Sequence, residues 1–224
     1  MFYVPRTYGA MEGKPPEFFS FGDPRGEEGR KALESMNSHH SELGDWAVSL
    51  IPVNFTPKSI LDVGCGGGMF LKKLGEWFPS ALLYGADLSE EACKLSSEVN
   101  AETIAEGRCR IDRASVDNLP YPDGTFDLIT AVETYFFWPN LKESLEELKR
   151  VLKDGGILMI VSEQYPHPLF DERNRNRAER TGFVLVKNED MESMLESMNL
   201  KTEVHTLADK NWVCFRAVKY GDTA

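Results

Sequence analysis

The chain has 224 residues, 42% hydrophobic and 27% charged, with a formal net charge of −11. This is the composition of a globular protein with a sizeable core, not of a disordered or fibrous chain. The excess of carboxylates disfavours nucleic-acid phosphates as the main partner, because such binding relies on Lys and Arg.

Cys65, Cys93, Cys109 and Cys214 show neither a CxxC pair nor a metal-ligand spacing, and no signal-peptide pattern precedes the fold. No apolar stretch approaches the roughly 20 residues that a membrane span needs. Reduced thiols, a cytoplasmic location, no metal and no membrane contact are therefore expected.

Residues 1 to 35 mix Pro, Gly and charge with Phe2, Tyr3, Tyr8, Phe18, Phe19 and Phe21, and read as an irregular arm. Met36, His40, Leu43, Ala47 and Leu50 then recur at helical spacing, which predicts one helix over 36–51. A strand over 59–63 runs into Gly64, Gly66 and Gly68, and then into the amphipathic run Met69, Phe70, Leu71, Leu74, Trp77 and Phe78. Strand, glycine turn and helix in that order leave backbone N–H groups open to a small polar ligand.

A second strand is expected over 81–88, with Ser89 capping the next helix ahead of Glu90 and Glu91. A third strand falls around 108–116, and a turn-rich stretch at 119–124 leads into a fourth at 126–132. Leu141, Leu145, Leu148 and Leu152 stripe a helix over 140–152, expected to end at Gly155 and Gly156 before a strand at 157–162. Alternating strands and helices imply a parallel sheet covered on both faces.

The tail departs from this pattern. A polar stretch at 163–181 carries Arg173, Arg175, Arg177 and Arg180, readable as a solvated helix face or as an anion site. A helix with Met191, Met194, Leu195 and Met198 follows. Strands at 201–207 and 212–218, joined by a turn at 209–211, predict a closing hairpin.

Two cofactor classes use a strand, a glycine turn and a helix start: dinucleotides and S-adenosylmethionine. The dinucleotide fingerprint wants Gly or Ala at position 69, where Met69 stands. Asp62-x-Gly64-x-Gly66-x-Gly68 resembles the glycine motif of class I S-adenosylmethionine-dependent methyltransferases. Asp87 matches that family's ribose-binding acid, and a carboxylate has the lone pairs to accept two hydroxyls. Residues 118–127 are similar to the family's link into strand four, and residues 150–156 to its turn into strand five.

The resemblance covers about 59–162. It implies an α/β, Rossmann-like fold: a doubly wound, mostly parallel seven-stranded sheet with helices on both faces and a C-terminal antiparallel hairpin. It implies one methyltransferase domain over 1–224, with arm and lid helix at 1–51, cofactor core at 52–162 and a substrate-side segment at 163–224. Asp62, Gly64, Cys65, Gly66, Gly68, Asp87, Leu88 and Glu133 are the implied cofactor residues. Ser115 stands where the family often has an acid for the adenine amino group, so Ser115, the Val116 backbone or Asp117 takes that place.

Methyl transfer from a sulfonium rests mainly on orientation and water exclusion, and a base adds to it when the nucleophile must lose a proton. Candidates are Glu133 and Tyr135 in the run Glu133-Thr-Tyr-Phe-Phe-Trp138 after strand four, together with His40 on the lid helix. The aromatics there either wall off water and face the sulfonium or pack the next helix onto the sheet. His39 and His167 sit at usual lid positions, whereas His205 reads as structural and Cys65 as a small space-filler. The expected function is methyl transfer to a small molecule. A nicotinamide-dependent oxidoreductase and a non-catalytic S-adenosylmethionine-binding protein are the alternatives, and the acceptor is not legible.

Overall fold

The computed structural model describes residues 22–221 apart from 182, 184 and the side chains of 179–181. The aromatics at 2–21 and the side chain of Arg180 thus lie outside the described residues.

Seven mostly apolar runs form a seven-stranded sheet in the order β3-β2-β1-β4-β5-β7-β6. The strands β1 (Ser59–Val63), β2 (Leu82–Asp87), β3 (Cys109–Arg113), β4 (Phe126–Val132) and β5 (Leu152–Ser162) are parallel to one another. The strands β6 (Leu200–Leu207) and β7 (Trp212–Lys219) form the expected hairpin, and β7 pairs antiparallel with β5, Ile157 opposite Val218.

Alternation along the strands builds two cores. Leu61, Val63, Ile129, Ala131, Leu158 and Ile160 face one way, under α6 (Leu141–Val151) and α8 (Asn188–Ser197). Ile60, Leu128, Ile157, Met159 and Val161 face the other, under α2 (Ser41–Ser49) and α3 (Met69–Trp77). Central strands buried on both faces explain why the sequence reads there as continuous apolar runs.

Local chemistry sets the helix ends. Ser89 accepts from Ala92 N at the start of α4 (Glu90–Val99), and Asn140 accepts from Lys142 N at the start of α6. The short α5 (Ala101–Ala105) follows α4, and the polar stretch contains α7 (Asp171–Thr181). Among the described residues, no helix is long and apolar enough to cross a membrane.

Two expectations are corrected. The helix over 36–51 is two helices: α1 (Gly26–His39) claims residues expected in the irregular arm, and the chain breaks at His40 before α2. The break has a packing cause. Leu33 of α1 joins Ala92 and Leu95 of α4, whereas Leu43, Ala47 and Val48 of α2 pack onto the sheet.

Gly155 and Gly156 do not end α6 either. That helix stops at Val151, β5 begins at Leu152, and the glycines lie where the β4–β5 register shifts between Phe126/Leu152 and Leu128/Ile157. Gly155 has φ +76°, a left-handed turn that this irregularity requires.

Candidate active site

The chain runs outward through β1, β2 and β3 on one side and β4 and β5 on the other, so the strand order reverses between β1 and β4. Ligands of doubly wound sheets bind beyond the carboxyl ends of strands at such a point. A cleft of about 1210 Å³, its open mouth included, lies there.

Gly64, Cys65, Gly66 and Gly67 form its floor, Asp62 and Asp87 its acidic side, and Leu88, Ser115 and Val116 one end. Glu133, Thr134, Phe137 and Trp138 form the other end. Met36, Asn37 and His40 come over the top from α1 and the break after it.

Asp87 is fixed before any ligand arrives. One carboxylate oxygen accepts from Gly66 N at 2.9 Å and the other from Ser89 N at 2.9 Å. Each oxygen still has a lone pair to offer, which suits two vicinal hydroxyls. Burial raises its carboxyl above the ordinary range, against these two hydrogen bonds.

Asp62 is 3% exposed, and its carboxyl is pushed up to about 7 by burial despite a 2.7 Å bond from the Thr130 hydroxyl. Thr134 Oγ1 is buried with no hydrogen-bond partner among the described residues, and its residue lines the cleft. An orphaned buried hydroxyl of this kind fits a polar ligand atom.

The glycines divide into two roles. Gly64 (φ +68°) leaves no room for a Cβ against Thr134, and Gly66 (φ +50°) exposes its N–H to Asp87. Gly68 does not line the cleft: at φ +79° it caps α3 and is pressed against Ser96 and Asn100 of α4 and its cap. Gly67, which the motif skips, lines the cleft, and its carbonyl accepts from Asn37 Nδ2 at 3.1 Å.

Glu133 sits at the carboxyl end of β4 with φ +58°, a conformation uncommon for a residue with a side chain and often kept at functional sites. It is 7% exposed, and burial together with the Glu163 charge pushes its carboxyl up to about 7. Its Oε1 accepts from Glu163 N at 2.6 Å. Arg177 Nη1 holds Glu163 Oε1 at 3.0 Å and, against the cost of burial, keeps that carboxyl below its ordinary range. His40 is half-buried here, and burial lowers its affinity for a proton.

Other sequence candidates fall elsewhere. Tyr135 is 4% exposed in the sheet core and does not line the cleft; the 3₁₀ turn Tyr135–Phe137 sends Phe137 there instead. Asp117 is exposed and also lies off the cleft lining. Cys65 lines the floor, but burial pushes its thiol well up, as a space-filler requires. His167 caps the turn Pro168–Phe170, and His205 lies in β6.

Asn37, Gly67, Thr134 and Glu163 were not singled out from sequence. The rule that ligands meet the carboxyl ends of parallel strands points to Glu163, the residue that follows β5. Adjacency to Glu133 and to the lid histidines marks Thr134 and Asn37.

The methyltransferase-domain family matches residues 61–160. The sterol 4-C-methyltransferase strm-1 of Caenorhabditis elegans is 24% identical over 196 residues, 88% of this chain and 52% of that protein. This chain therefore spans about half the length of that relative.

Among solved structures, the methyltransferase complexed with the Trm112 activator of Haloferax volcanii superposes with a TM-score of 0.75 at 16% identity, over 93% of this chain and all of that one. A phosphoethanolamine N-methyltransferase of Haemonchus contortus, solved with S-adenosylhomocysteine, gives 0.76 at 14% identity, over 92% of this chain and 60% of its own. Identities this low speak to the fold. Residues 61–160, which hold the glycine loop and the acidic end of β2, thus form a methyltransferase domain, and the fold around them is that of class I S-adenosylmethionine-dependent methyltransferases, whose cofactor is S-adenosylmethionine.

Proposed function

We propose that the protein transfers a methyl group from S-adenosylmethionine to a small-molecule acceptor bound at the Glu133 end of the cleft. The observation that carries this reading is Asp87, anchored on Gly66 N and Ser89 N at the rim of a glycine floor. The cofactor supplies an electrophilic methyl group on a sulfonium.

The residues of the chain divide the remaining work. Asp87 takes the ribose hydroxyls, and Leu88, Ser115 and Val116 enclose the adenine. Gly64, Cys65, Gly66 and Gly67 support the amino-acid tail. Asp62 meets the tail's ammonium, which would favour the ionised form that burial disfavours. Phe137 and Trp138 close the other end against water, which strengthens every polar contact inside.

Glu133, with a carboxyl near neutrality, takes a proton from the acceptor's hydroxyl or amine. Tyr135 has no part in this scheme because it does not line the cleft. The relatives' names, a sterol methyltransferase among them, support small molecules as a class and nothing finer. The net charge of −11 and four free cysteines support a small acceptor, no nucleic acid and a cytoplasmic setting. The division into lid, core and substrate-side segment is part of the same reading.

Calorimetry with S-adenosylhomocysteine and transfer of labelled methyl into cell-extract metabolites test it. Asp87→Ala is expected to weaken nucleoside binding about 100-fold or more, since hydrogen bonds to a charged group contribute about 1.5–3 kcal/mol each. Glu133→Gln is expected to keep nucleoside affinity and to lower turnover by about 10²-fold or more. Absence of heat with either S-adenosylmethionine or S-adenosylhomocysteine would sink the reading.

A further inference from the structure

Three metal-ligand side chains meet beside His40, which lines the cleft, and Glu163 lies so far along the chain from the two histidines that no spacing marks the set. His39 ends α1, His40 is the break residue after it, and their ring centroids are 5.2 Å apart. His39 Nε2 lies 3.4 Å from Glu163 Oε2. One donor atom from each of His39, His40 and Glu163 lies within 4.8 Å of the others.

We propose that His39, His40 and Glu163 bind a divalent transition-metal ion such as zinc or cobalt(II), with its open coordination positions facing the cleft. Two imidazoles and one carboxylate suit borderline cations of this kind, whereas calcium and magnesium want oxygen ligands throughout.

The surroundings supply what such a site needs. Glu163 offers Oε2 because Arg177 already holds Oε1 at 3.0 Å, and its main chain is tied to the Glu133 carboxyl at 2.6 Å. Outer contacts of this type orient a ligand before the ion arrives.

Three protein ligands, not four, are the pattern of a site that keeps a position free. His40 lines the cleft, so an ion held there stands beside the space proposed for the acceptor. Metal binding here goes beyond the methyl-transfer reading and has its own readout.

The test uses the 224-residue chain stripped of metal and titrated with cobalt(II), followed by visible absorption and calorimetry, with zinc as competitor. Saturation at one equivalent is expected, with d–d bands and without the charge-transfer band that a cysteine thiolate would add. His39→Asn and Glu163→Gln should each weaken binding by about tenfold or more. The His39 side chain is 68% exposed, so the His39→Asn protein should melt like the parent when metal-free. Non-saturable binding, a thiolate band, or parent-like affinity in both variants would overturn the site and leave a plain contact between His39 and Glu163.

Discussion

Asp62 shows how much of this site is governed by burial. Its carboxyl accepts from Thr130 and is pushed up to about 7, far above an unfolded aspartate at about 3.9. A carboxyl that binds its proton more tightly in the folded state lends stability that is complete below the unfolded value and is lost as pH rises toward 7. Asp62→Asn removes that dependence. Between about pH 5 and pH 8 the nucleoside-free variant should gain on the parent in melting temperature, by the equivalent of roughly a few kcal/mol. A constant gap across that window, read by differential scanning fluorimetry, would refute the burial argument.

Asp87 was legible because a strand end and the distance from a glycine loop both mark it. Glu163 was hidden inside a stretch read as a polar loop. Tyr135 was misplaced for a geometric reason. Four aromatics in a row do not tell which of them a single 3₁₀ turn will point inward.

At the level of elements, the glycine motif turns out to serve two masters. Gly66 presents its N–H to Asp87, whereas Gly68 lets α3 start in contact with Ser96 and Asn100. Gly68→Ala should therefore harm the fold before it harms the site. Left-handed backbone costs a residue with a Cβ about 1–2 kcal/mol, and crowding adds about 1–3 more. A drop in Tm of about 5 °C or more follows for a chain of this size. Gly107 at φ +73° has open space around its missing Cβ, so Gly107→Ala carries the backbone cost alone and should melt clearly higher than Gly68→Ala.

The later motifs are bound to each other. Arg150 donates to the carbonyls of Leu119 and Tyr121 and pairs with Asp123 and Glu147, while Lys153 pairs with Asp127. Their order was readable from sequence as family pattern, and their physical role is to clamp the loop that leads into β4. What was unreadable is the break at His40, because one amphipathic stripe runs through two helices that serve different cores.

On the scale of the molecule, the sheet order places the four candidate carboxylates toward the carboxyl ends of the parallel strands. Asp62 lies in β1, Asp87 ends β2, Glu133 follows β4 and Glu163 follows β5. The alternating pattern made that arrangement foreseeable. The hairpin was foreseeable too, and the nearly continuous apolar run of β7 (Trp-Val-Cys-Phe), against the polar alternation of β6, fits its inward place beside β5.

That insertion has a consequence during synthesis. β7 is made after every strand it pairs with, yet it sits between β5 and β6. Until residues 212–219 leave the ribosome, β5 carries a bare row of N–H and C=O groups, and an open apolar edge invites mispairing. Nascent chains arrested before residues 212–219 leave the ribosome should be cut by protease beside β5, and chains arrested with β7 fully emerged should resist, so the hairpin acts as a timed closure of that edge.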